Sequence, residues 1–109
     1  MEAFVAKEVI LLVCTAGIST NLLVAKMQHL ADVQKLNVDV FATNASECKE
    51  SIKKYQLKAV MISPQLRYLK EEIAQELVGK DIPLDIISMQ DYGNMDSKSI
   101  LEHAMSLKF

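Results

Sequence analysis

The stretch Val9-Ile10-Leu11-Leu12-Val13-Cys14-Thr15-Ala16-Gly17-Ile18-Ser19-Thr20-Asn21 decides how the chain folds. An unbroken apolar run bounded by small residues predicts a strand buried on both faces. Helical spacing begins directly after it: Leu23, Val24, Met27, Leu30 and Ala31 share one face. A cysteine therefore stands between the carboxyl end of a buried strand and the amino end of a helix, which is a reactive-site arrangement.

The same alternation repeats outward. Strand one is read as Glu8 to Cys14 and helix one as Ile18 or Ser19 to Lys35. Val38 to Ala42 alternates like a half-exposed edge strand. Asn44 is placed to cap helix two, with Glu47 positioned to reach back as in a capping box. Ala59-Val60-Met61-Ile62 is strand three, stopped by Ser63-Pro64-Gln65, and a helix follows to about Val78. Gly79 is its terminator. Pro83 to Ile87 is strand four, Ser88 to Met95 a loop, and Asp96 the cap of the last helix. Four β–α units in series predict an α/β fold, a single small doubly wound four-stranded parallel sheet of order 2-1-3-4 with helices on both faces. One domain over residues 1–109 is expected. The loops at 14–20, 63–65 and 88–94 then meet beyond the strand ends, where open α/β sheets place ligands.

Composition excludes several function classes. A net charge of −2 and an absence of basic runs give no footprint for nucleic acid. No apolar stretch approaches the roughly 20 residues of a membrane span. Met1 to Glu8 shows no secretory pattern, so a cytoplasmic location is expected. Cys14, Cys48, His29 and His103 have no zinc-ligand spacing, and neither a metal nor a cofactor is expected. The two cysteines are expected as free thiols. Nucleotide-loop patterns are absent in a chain with three glycines.

The loop after strand one suits an oxyanion. Amides from Thr15 to Thr20 precede the helical ladder, and Thr15, Ser19 and Thr20 add hydroxyls. Gly17 is expected to permit a tight backbone path. The helix terminus is expected to lower the Cys14 pKa below the free value of about 8.5. Phosphate bound here meets Cys14 Sγ, which implies phosphoryl transfer through a phosphocysteine. A cysteine phosphatase of the CxxxxxR type carries arginine where this chain has Thr20, and no Lys or Arg lies between Cys14 and Lys26. A loop that binds phosphate without that clamp fits a carrier better than a hydrolase.

The segment Cys14-Thr15-Ala16-Gly17-Ile18-Ser19-Thr20, with Asn21-Leu22-Leu23-Val24 after it, resembles the IIB components of the sugar phosphotransferase system, lactose/cellobiose class. Pro64-Gln65 followed by Tyr68, and Tyr92-Gly93 before the last helix, are similar to two further family motifs. Asn21 replaces a small serine of the family pattern, and Ser63 stands where glycine often precedes the Pro-Gln pair. The resemblance implies a fold like that of low-molecular-weight tyrosine phosphatases. It also implies that Cys14 takes phosphate from a histidine of a IIA protein and gives it to a sugar on the membrane permease IIC. Cellobiose, another β-glucoside, lactose and diacetylchitobiose are the candidate sugars. A phosphatase or arsenate reductase of similar fold, and a non-enzymatic regulatory module, are the alternatives.

The expected site is thus Cys14 as nucleophile and Thr15, Ala16, Gly17, Ile18, Ser19 and Thr20 around the phosphate. Gln65 is either a helix cap or a phosphate neighbour, and Tyr68 and Tyr92 are either packing residues or a partner-facing rim. Cys48 falls on the apolar face of helix two and is read as structural. Asp91 is read as a solvated loop acid, and His29 and His103 as inert.

Overall fold

The computed structural model describes residues 7–15 and 17–109 and, of Ile18, the backbone alone. Four parallel strands, β1 (Glu8–Val13), β2 (Val38–Thr43), β3 (Leu57–Ile62) and β4 (Leu84–Ile86), lie in the order β2-β1-β3-β4. β1 is central, and Ile10 through Val13 are fully buried because helices cover both sheet faces. On one face, α1 (Ile18–Val33) and α5 (Ser97–Ser106) pack Leu23, Met27, Ile100 and Leu101 against Ile10, Leu12, Ala59 and Met61. On the other, α2 (Cys48–Lys54) and α3 (Lys70–Glu76) pack Cys48, Ile52 and Ile73 against Leu11, Val13, Val60 and Ile62. The expected doubly wound architecture and strand order are both found.

Local chemistry explains the element ends. α1 stops at Val33, earlier than expected, because Lys35 takes a left-handed conformation with φ 58°. Asn44 Oδ1 accepts from the Glu47 N–H at 2.8 Å, capping the turn that leads into α2, while α2 itself starts at Cys48. The expected return contact from the Glu47 carboxylate is not among the hydrogen bonds of the described residues. The helix expected after Ser63 is split: Pro64–Leu69 is 3₁₀, Leu66 departs from helical geometry, and α3 follows. Gly79 has φ +81°, as a left-handed terminator requires. Asp96 caps α5 through the Ser99 N–H. The span 88–95, expected as a loop, holds the short helix α4 (Met89–Gly93), capped by the Ser88 hydroxyl accepting from the Asp91 N–H at 3.0 Å.

Two side chains secure the exposed edges. His103 Nε2 lies 2.9 Å from Asp85 Oδ2, tying α5 to edge strand β4, so His103 is engaged rather than inert. On β2 the Gln28 amide receives the Val40 N–H at 2.8 Å and donates to the Val38 carbonyl at 3.2 Å. Those outward backbone groups would otherwise be free to pair with another chain. Each such bond contributes about 1 kcal/mol net, so Gln28→Ala should lower unfolding free energy by about 1–2 kcal/mol, read from the urea midpoint at unchanged slope.

Candidate functional site

Cys14 continues β1 by one residue: its N–H donates to the Thr43 carbonyl at 2.9 Å. Its side chain is 1% exposed and packs with Leu12 and Leu23 in the core under α1. Above it lies a pocket of about 180 Å³ lined by Cys14, Thr15, Gly17, Thr20 and Asn21 on one side. Ala42, Thr43, Asn44 and Glu47 close the other side. That volume exceeds several water molecules at about 30 Å³ each, enough for a phosphoryl group. Among the described residues no lysine or arginine lines it, and Arg67 instead donates to the Pro64 carbonyl at 2.9 Å. A larger groove of about 530 Å³ between β2 and α2 does not include Cys14.

The amino end of α1 forms one wall. Among the described residues its first ladder bond runs from Asn21 N–H to the Gly17 carbonyl at 3.3 Å, which leaves the amides of residues 18–20 in the first turn of the helix. Gly17 has φ 167°, extended backbone that any residue adopts, and an added Cβ would meet no atom within 4 Å. The conformational need for glycine expected from the sequence is therefore not found. Thr15 and Ser19 are exposed, whereas Thr20 is buried and donates its hydroxyl to the Thr15 carbonyl at 2.9 Å. Ala16 lies outside the described residues, as does the Ile18 side chain.

Electrostatics overturn one expectation. Burial pushes the Cys14 thiol up, from an ordinary value of 9.0 to about 11, against hydrogen bonding from Tyr92 and Thr20. Three residues separate Cys14 from the first residue inside α1, and its side chain enters the core rather than facing the helix terminus in water. Desolvation wins over the dipole. The thiol is neutral at physiological pH. Cys48 is raised to about 11 as well, by burial first and then by Glu76 and Glu72.

Of the expected rim, Tyr92 reaches the site: α4 packs it against the buried cluster that holds Cys14, near enough to lower the thiol's pKa. Gln65 and Tyr68 are exposed on the 3₁₀ turn and do not line the pocket. Missing from the expected set is the whole β2–α2 corner, Thr43, Asn44 and Glu47, together with Asn21. The signal for the corner was present, since strand order 2-1-3-4 puts the end of β2 beside the end of β1.

Sheet order, a strand-end thiol and an amide-rich helix start define a class, the small parallel α/β domains that present a cysteine to an anion-sized pocket. Within it, residues 9–103 match the family described as "PTS system, Lactose/Cellobiose specific IIB subunit". The chain belongs to that family, whose members are phosphotransferase components that work with IIA and IIC partners. It is 38% identical to the oligo-β-mannoside-specific EIIB component of Bacillus subtilis, over 90% of this chain and 93% of the other. It is 33% identical to galactose- and cellobiose-specific EIIB components of Lactococcus lactis, each over 94% of this chain and 97% of theirs. A solution structure of a cellobiose-specific IIB component from Borrelia burgdorferi superposes with a TM-score of 0.71 at 31% identity, covering 91% of this chain and 89% of that one. A lactose-specific IIB domain from Streptococcus pneumoniae shares the fold, with a TM-score of 0.73 at 15% identity and 91% coverage of both chains.

The pKa direction has two consequences. Alkylation of Cys14, read by peptide mass, should accelerate only as pH climbs toward about 11, and Tyr92→Phe should shift that profile further alkaline. Folded-state values above the unfolded value of 9.0 mean that the unfolded chain loses its thiol protons first. Stability should therefore be intact below pH 9 and fall as pH rises through 9 to 11, read as a declining urea midpoint.

Proposed function

We propose that this chain is a phosphoryl carrier: Cys14 takes phosphate from a phosphohistidine of a IIA protein and passes it to a sugar held by a IIC permease. The observation that carries the reading is the thiol at the floor of a small pocket, with one wall made of helix-start amides and no cation in the lining. In the first step the P–N bond to the imidazole breaks and an S–P bond forms. The departing imidazole nitrogen needs a proton, and the neutral Cys14 thiol has one to give. In the second step the S–P bond breaks, a P–O bond to a sugar hydroxyl forms, and the hydroxyl proton returns to sulfur.

The phosphoryl transition state is loose, so positioning and charge stabilisation dominate. On this reading the amides of residues 18–20 and the pocket-lining Thr15 hydroxyl receive its oxygens, and Thr20 joins them by turning its hydroxyl away from Thr15; the exposed Ser19, expected among them, is not in the pocket lining. Without an arginine clamp, water gains little from the site, which favours transfer over hydrolysis. Glu47 adds a like charge to the lining and disfavours a resident free phosphate. Exposed Leu22, Tyr68 and Met89 follow β1, β3 and β4 at the same end of the sheet and offer apolar contacts for two partners in turn.

Relatives at 33–38% identity are named for oligo-β-mannoside, galactose and cellobiose, which is compatible with a sugar read mainly by the permease. The chain works on the cytoplasmic side, on a sugar of that broad group. Incubation with phosphorylated IIA should add one phosphate by intact mass, and Cys14→Ser should abolish delivery to sugar. Delivery by that variant would sink the proposal. So would sustained Cys14-dependent hydrolysis of a small aryl phosphate, which marks a phosphatase.

A further inference from the structure

Ser63 is 0% exposed, and its hydroxyl has no hydrogen-bond partner among the described residues. It extends β3 by one residue with strand-like backbone, φ −62° and ψ 150°, and its N–H donates to the Val13 carbonyl at 2.9 Å. The register pairs Leu12 with Met61 and Val13 with Ile62, which sets Ser63 beside Cys14. Side chains alternate along a strand, so Ser63 falls on the face of Ala59 and Met61, and Cys14 on the same face with Ile10 and Leu12. On the other flank the Ile87 N–H bonds the Ile62 carbonyl, and Ile87 belongs to the same buried cluster. Of these two lateral neighbours only Cys14 carries a polar atom.

A buried, unpaired hydroxyl is rare, because burial without a partner forfeits its bonds to water. We propose that Ser63 is a hydrogen-bond donor held in reserve for Cys14 Sγ, used when the sulfur carries negative charge during phosphoryl transfer. The proposal rests on the carrier reading above. Ser63 does not line the phosphate pocket, whose walls come from the α1 and β2–α2 sides. It therefore serves the sulfur and not the phosphoryl oxygens. When the S–P bond breaks toward a sugar hydroxyl, its electron pair goes to sulfur and the P–O bond forms. The Ser63 side chain then rotates about its Cα–Cβ bond to bring its O–H to that sulfur, until the hydroxyl proton restores the thiol. Tyr92 approaches the sulfur from the α4 side and lowers its pKa, so the leaving sulfur has a hydroxyl neighbour there as well. Tyr92 on α4 and Glu47 at the β2–α2 corner are the titratable groups facing Cys14, and both remain in the variants below.

The test compares wild type, Ser63→Ala and Ser63→Cys on three readouts. Ser63→Ala should keep or raise Tm, since it removes an unpaired polar atom. It should shift the pH profile of Cys14 alkylation alkaline by about one unit, and slow transfer from phospho-Cys14 to sugar about tenfold. Ser63→Cys, a weaker donor, should fall between on the last two. An unmoved alkylation profile in both variants overturns the proposal, whatever their Tm. Alkylation needs no phosphate donor, so this result is independent of the carrier reading. That reading fails separately if wild type gains no phosphate from phosphorylated IIA.

Discussion

β1 is hydrogen-bonded along both edges and covered on both faces, and the rest of the structure follows from that double enclosure. A strand of consecutive apolar residues cannot leave backbone N–H and C=O groups unpaired in a core, so it needs a neighbour on each side. β2 and β3 supply them, parallel because each returns through a helix. Two apolar faces then demand two helix layers, with α1 and α5 on one side and α2 and α3 on the other. Whatever residue ends β1 must emerge between the ends of β2 and β3. The position of Cys14 beside Asn44 and Ser63 is thus a product of strand pairing.

The same enclosure sets the chemistry of the sulfur. Packed against Leu12 and Leu23, the thiol loses water, and burial outweighs both the nearby helix terminus and the hydroxyls of Tyr92 and Thr20. A free-standing nucleophile would be handicapped by that shift. The proposed carrier would meet its phosphoryl donor as a protein complex, and the departing imidazole would take the thiol proton within it. A buried neutral thiol also resists oxidation and alkylation between turnovers, since the thiolate is the reactive form. On the proposed carrier reading, protection at rest and reactivity in the complex are compatible, because the proton would leave only when a partner arrives.

Much of the fold was legible because burial writes itself into apolar runs. Val9 to Val13 and Ala59 to Ile62 are unbroken, and Val38 to Ala42 alternates, which suffices to order the strands 2-1-3-4. α4 was not legible, for a five-residue helix has too few turns for periodicity and depends on the Ser88 cap. The split of the third helix escaped for a similar reason, since Pro64 suits the first turn of either helix type. At the site, Cys14 and the helix start were visible as a motif. The raised thiol pKa was not, because its sign is decided by a competition between burial and dipole that spacing alone does not measure. Topology places the β2–α2 corner there too, but in the sequence Asn44 reads as a helix cap, a role it performs while also lining the pocket.

Cys14 has two sides with different chemistry. Toward the pocket it neighbours Thr15, Thr20 and Asn44; toward β3 the strand register sets it beside the sealed Ser63. On the proposed carrier reading, groups on the pocket side would act on the phosphoryl oxygens, which carry much the same charge whether phosphate is arriving or leaving. Groups on the sealed side act on sulfur, whose charge rises only while the S–P bond is forming or breaking. The first set governs how tightly phosphate is held, and the second how readily it is released. A relay that tightened only the pocket side would bind phosphate well and pass it on slowly. A parallel sheet avoids this conflict, because strand pairing presents the end of β1 to a solvent-facing loop above and to a neighbouring strand at its side.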